Sequence, residues 1–450
     1  MRRKYIKKAA AGALFLTILI PAALGISCYH SQRIDAADMK MTTQESESPV
    51  LLSWPQNLNA VRSEVEIFGL LPEDMDDDKR VDAAIYRNDR IYSNKVLIDA
   101  SLFPKDIPLF WRVRAYDLDG NPTGPWSQPA ELESALAYPG RNAPLPNDTM
   151  NHGSGTTLLY PVYSYTPNPG ASRYEVEVLD QYPEKLNGHE PSRHRIYADV
   201  TTLSDLYDQM PRIGTYYWRV RGMDDKGLPV GEWSLPVKYT TAAESWKVAV
   251  YGDSISHGGG HLSFSPVDFA YSYESYFNFP SINLSQSGDT SEMMVERFER
   301  DVTPFHPKYL LIMGGTNSLR AGVPAESVIE DLKIIQKKSR ENGINPILLT
   351  LPPINPGNIE KAFNEPTYEG WRESFRKVND FIRREPHIDV ARPFENMDEL
   401  PTWLALDGIH GDWNMKKIMG NVINKEISRF MSEGYSLRKE YKNGKTDSRT

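Results

Sequence analysis

Val248-Ala-Val-Tyr-Gly-Asp-Ser254-Ile-Ser-His-Gly-Gly-Gly260 is the stretch from which the fold of this 450-residue chain is read. A run of four apolar residues closed by Gly252-Asp253 has the pattern of a short strand covered on both faces, as in a parallel sheet flanked by helices. The chain leaves that strand at Gly252-Asp253-Ser254. This puts a serine hydroxyl at the strand's C-terminal end, the edge at which open α/β sheets bind ligands. A serine there serves either as a nucleophile or as the N-cap of the next helix, and an isolated Gly-Asp-Ser does not choose between them. The triple glycine is not a phosphate loop, because no Gly-Lys-Ser/Thr follows it.

From Trp246 onward apolar runs alternate with helical periodicity. Strands are predicted at 247–251, 281–284, 309–313, 346–350 and 388–390, and helices at 325–342, 368–384 and 413–431. Val328, Leu332 and Ile335 share one face of the first helix, Trp371, Phe375 and Val378 mark the second, and Gly343 stops the first. Such alternation predicts a parallel sheet between helices. Three more motifs fall at predicted strand ends: Asn283-Leu-Ser-Gln-Ser-Gly288-Asp, Met313-Gly-Gly315-Thr-Asn317-Ser, and Asp407-Gly-Ile-His410-Gly before the last helix. Each has a plain structural explanation alone, as a turn, a helix cap or a surface pair. Their joint order is much harder to assign to chance.

Residues 246–435 with these four blocks resemble the SGNH (GDSL-like) hydrolase family: Gly252-Asp253-Ser254, the lone Gly288, Gly315-Thr316-Asn317 and Asp407-Gly408-Ile409-His410. Ile255 departs from the Leu of the family's first block, and Ser318 from the Asp that often follows the third-block Asn. The resemblance implies a three-layer α/β (flavodoxin-like) domain and hydrolysis of carboxylic esters. Ser254 would be the nucleophile, a weak one unless a base takes its proton. His410 would be that base, and Asp407 would fix its tautomer and stabilise the imidazolium. The resemblance assigns the oxyanion hole to the backbone N–H groups of Ser254 and Gly288 and the side-chain amide of Asn317. Asp253, His257, His261 and Gly315 are further candidates to line the site; His257 and His261 are read either as site residues or as loop scaffolding. The α/β-hydrolase elbow Gly-x-Ser-x-Gly fits less well, since Ser256 stands at its last position. No metal-ligand cluster is visible and no cofactor is expected.

Upstream lies an internal repeat. Trp111-Arg-Val-Arg114, Asp117, Gly120, Pro122, Gly124, Trp126-Ser127 and Pro129 recur at one constant offset as Trp218-Arg-Val-Arg221, Asp224, Gly227, Pro229, Gly231, Trp233-Ser234 and Pro236. Period-two alternation through Phe110-Trp-Arg-Val-Arg-Ala-Tyr116 predicts a strand with one core face and one solvent face. The copies resemble fibronectin type III modules, all-β sandwiches, over 50–133 and 157–242, with 134–156 as linker. They are expected to act as spacers; Trp126 and Trp233 are expected to pack at their own strand ends rather than to bind carbohydrate.

Residues 1–28 pair a basic start (Arg2, Arg3, Lys4, Lys7, Lys8) with an apolar run, the pattern of an export signal or a membrane anchor. Cys28, the single cysteine, follows that run as in a bacterial lipoprotein signal and is a lipidation candidate; it also excludes an internal disulfide. Arg2-Arg3 is a weaker twin-arginine alternative. Residues 29–49 read as a tether and 436–450 as a disordered tail. A net charge of −9, with no basic patch outside the two ends, gives no footprint for nucleic acid. The sequence thus predicts an exported serine esterase of the cell envelope, with membrane contact only through its N-terminus. Its expected partner is an ester substrate, with an O-acetyl group on polysaccharide preferred. A lysophospholipase or thioesterase of the same family, an acyltransferase and a non-catalytic glycan-binding protein are the alternatives.

Overall fold

The computed structural model describes residues 49–55, 57, 60–69, 78–132, 136–137, 142–147, 157–186, 189–241, 246–258 and 271–432. The expected export segment with Cys28, all but the last residue of the tether, the whole of the tail and His261 lie outside them.

Two antiparallel β-units come first. In the first, Lys95–Ile98, Val50–Ser53 and Leu136–Ala137 form one sheet, and Tyr86–Ile91, Arg62–Phe68, Phe110–Tyr116 and Ala130–Glu131 the other. In the second, Asp205–Tyr207, Val162–Thr166 and Leu145–Pro146 face a sheet centred on Arg173–Leu179 and Gly214–Met223. Between the latter two sheets lies a core that includes Val162, Tyr163, Val176, Val178, Trp218 and Val220. The stretch read as a linker thus gives one short strand to each unit.

The repeated Trp-Arg-Val-Arg strand departs from expectation on its charged face. Arg112 and Arg219 are 1% exposed, so that face is a second buried layer rather than a solvated one. Arg112 meets the buried Glu66, and Arg219 the buried Glu177. Trp126 lies beneath Arg112 and Arg114 as Trp233 lies beneath Arg219 and Arg221. Both tryptophans are buried, consistent with packing at strand ends and leaving neither as an exposed sugar platform. A buried charge is tolerated only when paired and hydrogen-bonded, so each repeat retains the Glu, the Arg pair and the Trp as a set.

The α/β region is built on a six-stranded parallel sheet: β1 Thr157–Leu158, β2 Val248–Gly252, β3 Ile282–Asn283, β4 Tyr309–Met313, β5 Asn345–Leu349 and β6 His387–Ile388. The spatial order is β6-β5-β4-β2-β3-β1. After β2 the chain places β3 on one side and then crosses to put β4 on the other. That reversal makes the carboxyl end of β2 the topological switch point, where α/β sheets hold ligands. Helices α1 Ser254–His257, α2 Ser291–Asp301, α3 Thr316–Arg320, α4 Ala325–Glu341, α5 Pro356–Phe363, α6 Trp371–Ile382 and α7 Trp413–Ser432 complete the layers. The predicted faces of α4 and α6 are the buried ones. β1 was not foreseen as part of this sheet. It falls within the second β-unit in sequence, between that unit's Leu145–Pro146 and Val162–Thr166 strands, yet pairs in parallel with β3, Ile282 opposite Thr157 and Asn283 opposite Leu158.

Candidate active site

Strand β2 is wholly buried and ends against β4, with Gly252 opposite Met313. A Cβ on Gly252 would stand 2.3 Å from the Met313 carbonyl oxygen, so only glycine lets the chain turn there. Asp253 caps α1, its side chain accepting from Ile255 N–H at 3.0 Å. Ser254 is therefore the first residue of the helix rather than its cap, and its hydroxyl is left for another partner.

That partner is His410, whose Nε2 lies 2.8 Å from Ser254 Oγ. His410 Nδ1 lies 2.9 Å from Asp407 Oδ2. The other carboxylate oxygen, Oδ1, accepts the backbone N–H groups of Ile409 at 3.0 Å and His410 at 2.8 Å. With a carboxylate as acceptor at Nδ1, the imidazole carries its proton there and turns a bare Nε2 to the serine. Asp407 is buried, while Ser254 and His410 are half-buried. The tight turn between them requires Gly408: its φ is +82°, and a Cβ would stand 2.3 Å from the Asn355 carbonyl oxygen. The Phe363 ring meets the His410 ring edge-on at 6.2 Å.

The remaining blocks follow the carboxyl ends of β3 and β4, the strands on either side of β2. Gly288, at φ +91°, follows β3, and a Cβ there would meet no other atom within 4 Å. Asn317 lies in the first turn of α3 and donates its amide to Asp289 O at 2.9 Å, while Arg320 Nε donates to its Oδ1 at 3.3 Å. Gly315, at φ +117°, turns the chain into α3, and a Cβ there would stand 2.6 Å from the Val328 side chain. Ser318, the departure from the family pattern, accepts the Ser291 N–H at 3.0 Å and ties the Gly288 and Asn317 segments together.

Asp253 and His257 are buried and do not line an open cleft. Burial raises the Asp253 carboxyl to about 6, against the opposing pull of the Ile255 N–H. His257 is brought to about 4, chiefly by burial, so the ring is neutral near pH 7. Its Nε2 lies 2.8 Å from Tyr160 O and its Nδ1 2.8 Å from Ser287 Oγ.

Two charged residues beneath the site were not singled out from the sequence. Arg297 of α2 donates to Leu284 O at 2.6 Å, Gly252 O at 3.0 Å and Asp289, holding the ends of β2 and β3 together. Lys416 of α7 is fully buried and donates to Ile255 O at 2.7 Å. Burial lowers its ammonium to about 8, opposed by the charges of Asp253, Asp407 and Asp412. Each is a cation within an otherwise apolar helical stripe, Met294–Phe298 and Met415–Met419–Ile423, which was the available signal. Among the described residues no cluster of His, Cys, Asp and Glu is arranged to hold a metal ion, and no helix is long and apolar enough to cross a membrane.

Residues 250–412 match the profile of the GDSL-like lipase/acylhydrolase family. The chain is 41% identical over 175 residues to the uncharacterized lipoprotein YqeF of Bacillus subtilis, spanning 35% of this chain and 72% of that protein. It is 24% identical over 208 residues to thioesterase 1/protease 1/lysophospholipase L1 of Escherichia coli, spanning 44% of this chain and 93% of that one. Among solved structures, a GDSL-like lipase from Bacteroides thetaiotaomicron aligns with a TM-score of 0.33 at 18% identity, covering 41% of this chain and 88% of that one.

Proposed function

This chain belongs to the GDSL-like lipase/acylhydrolase family and is a serine hydrolase of carboxylic esters; from that premise we propose that Ser254, His410 and Asp407 form its triad and that it removes O-acetyl groups from a polysaccharide outside the cytoplasm. The observation that carries the reading is the unbroken Asp407–His410–Ser254 chain, 2.9 and 2.8 Å long.

Ser254 Oγ attacks the acetyl carbonyl carbon while its proton passes to His410 Nε2. The oxyanion faces the N–H groups of Ser254 and Gly288 and the Asn317 amide, donors that are each worth about 10²–10³ in turnover. Collapse breaks the bond to the sugar oxygen, which takes the proton from His410. Water then attacks the acetyl-serine, again through His410, and releases acetate and free Ser254.

Three features support the acetylated-glycan reading: an N-terminus with the pattern of an export signal, two β-units ahead of the hydrolase region, and the Gly-Asp-Ser-x-x-x-Gly-Gly-Gly sequence. We read the β-units as fibronectin III-like modules at 50–133 and 157–242 and the hydrolase domain as 246–435. Export is further supported by the lipoprotein name of the Bacillus relative; Cys28 is the residue an acyl anchor would occupy.

The test compares p-nitrophenyl acetate and octanoate hydrolysis by the protein lacking its export segment and by Ser254→Ala, followed by acetate release from acetylated glycans. Serine-dependent turnover of acetate with poor turnover of octanoate is expected. Preference for octanoate would replace the substrate with a lipid or thioester. Transfer of acetyl to a sugar in excess of hydrolysis would make the protein an acyltransferase. Absence of serine-dependent turnover would leave a glycan-binding protein.

A further inference from the structure

The second β-unit reaches the active site through one buried relay. Its leading residues are not outside the hydrolase region: β1 lies on the sheet edge beside β3, Leu159 N–H donates to Asn283 O at 2.8 Å, and Leu159 and Tyr160 are buried in the α/β core. The Tyr160 hydroxyl is bound to Asp301, and Arg297 lies over its ring. The far end of the same unit closes on this edge, with Tyr239 and Thr241 hydroxyls directed at Leu158 O. The edge is therefore clamped from both ends of the unit.

From it the Tyr160 carbonyl oxygen meets His257 Nε2. A carbonyl can only accept, so Nε2 carries the proton of the neutral ring and Nδ1 is a bare acceptor. Ser287 must then donate its hydroxyl hydrogen to Nδ1. Ser287 shares a peptide plane with Gly288, whose N–H is the proposed oxyanion donor. Pinning its side chain limits rotation of that plane at a glycine that otherwise has free φ. A second tether lies alongside: Gln286 Nε2 donates to Gln209 Oε1 at 3.1 Å, and the Tyr207 ring meets the His257 ring edge-on.

We propose that His257 and Ser287 are positioning residues through which the second β-unit holds the oxyanion segment 286–288 in its working geometry, so that the unit is part of the catalytic apparatus rather than a spacer. The inference rests on the proposed role of Gly288.

The experiment uses the full chain with p-nitrophenyl acetate and measures kcat and KM per active serine, counted by fluorophosphonate labelling. Ser287→Ala, half-buried and structurally mild, is expected to lower kcat about tenfold with KM near the parent's, a fraction of the ~10²–10³ that a whole donor contributes. Ser287→Thr, which keeps the hydroxyl, is expected to recover most of the loss. His257→Phe should match Ser287→Ala, and the double variant should be no slower than the worse single, as for residues that act as a unit. Parent-like kcat in Ser287→Ala, no recovery in Ser287→Thr, or losses that multiply in the double variant would each overturn the proposal. Should His257→Phe not fold, the Ser287 pair still decides. Turnover that survives Ser254→Ala would instead remove the triad reading itself, so the two failures are told apart.

Discussion

Asp407→Asn tests the tautomer argument because the carboxylate's two oxygens do different work. Oδ1 accepts two backbone N–H groups, from Ile409 and His410, whereas Oδ2 alone faces His410 Nδ1. An asparagine has one acceptor and one donor end. If its NH₂ took the Oδ1 place, it would stand against two backbone donors in a buried site, so the amide oxygen must go there. The NH₂ is then forced towards His410 Nδ1, which must become the acceptor, and the ring proton moves to Nε2. Nε2–H facing Ser254 cannot accept the serine proton. The expected loss in kcat is about 10⁴, the size seen when a triad imidazole is held in the wrong tautomer. Stability should be nearly kept, since both backbone bonds survive. Asp407→Ala makes the opposite trade. It leaves two buried N–H groups unpaired, at roughly 1–3 kcal/mol each, but lets water accept from Nδ1–H and leaves Nε2 bare. The Ala variant should therefore be the less stable and the more active of the two. The assay is p-nitrophenyl acetate turnover per folded molecule, counted by near-ultraviolet circular dichroism, beside urea denaturation of each variant. An Asn variant within about tenfold of the parent, or an Ala variant slower than Asn, would refute the reasoning.

Asn317→Ala is expected to lower kcat by about 10²–10³ while the protein stays folded, because it removes one oxyanion donor; near-parent turnover would take Asn317 out of the hole. Lys416→Met changes how stability depends on pH. The parent's buried ammonium has its pKa depressed to about 8, so between there and the unfolded value the unfolded chain holds more protons and stability rises with pH, by about 3 kcal/mol in all. Measured by denaturation, the parent's stability relative to the variant's should be greater at pH 10 than at pH 7 by most of that amount, the titrations of Glu274 and the buried tyrosines, whose pKa values burial raises, being common to both; an unchanged difference would mean that Lys416 is not the group responsible. Gly408→Ala forces a side chain to φ +82° and to 2.3 Å from Asn355 O; both melting temperature and kcat should fall, and an unchanged kcat would show that the Asp407–His410 turn tolerates the shift.

The Ser254 and Asp407–His410 blocks that meet in the structure were readable because their signals are local. A four-residue apolar run, a glycine where the chain turns and a carboxylate three residues before an imidazole can each be seen without knowing what lies across the sheet. What could not be read depends on partners far away in sequence. Alternation along Phe110–Tyr116 and Gly214–Met223 separates two faces but does not say what covers each, and Trp126 and Trp233 turn the charged face into a buried one. Strand β1 is two residues long, too short for any periodicity, and its partner β3 lies more than a hundred residues on. His257 could be read as site or scaffold because its decisive contact is to a main-chain carbonyl, at Tyr160, an atom that every residue has. Arg297 and Lys416 left a trace, as cations within apolar helical stripes, but a stripe alone does not say which backbone oxygen the charge will meet.

The order of the sheet explains why the β-unit bears on one side of the crevice and not the other. β2, which delivers Ser254, lies between β3 and β4, and these deliver Gly288 and Asn317 to opposite flanks. The β-unit joins at the β3 edge, so its nearest loops are those after β2 and β3, and its contacts fall on His257, Gln286 and, through His257, Ser287. Asn317 is set instead from within the hydrolase region, by Asp289 and Arg320. A unit attached beside β6 would have reached neither donor. The two flanks of the proposed oxyanion hole thus have different outer supports, the β-unit at Ser287 and Arg320 at Asn317, but the Asn317–Asp289 bond joins them one residue from Gly288. Losses in kcat at Ser287 and Asn317 are therefore expected to fall short of multiplying, because Asn317→Ala also removes that bond, while the double variant is still slower than either single, unlike that of His257 and Ser287. Losses that multiply in full for Ser287 and Asn317 would mean that the Gly288 and Asn317 segments move independently despite the Asn317–Asp289 and Ser291–Ser318 bonds between them.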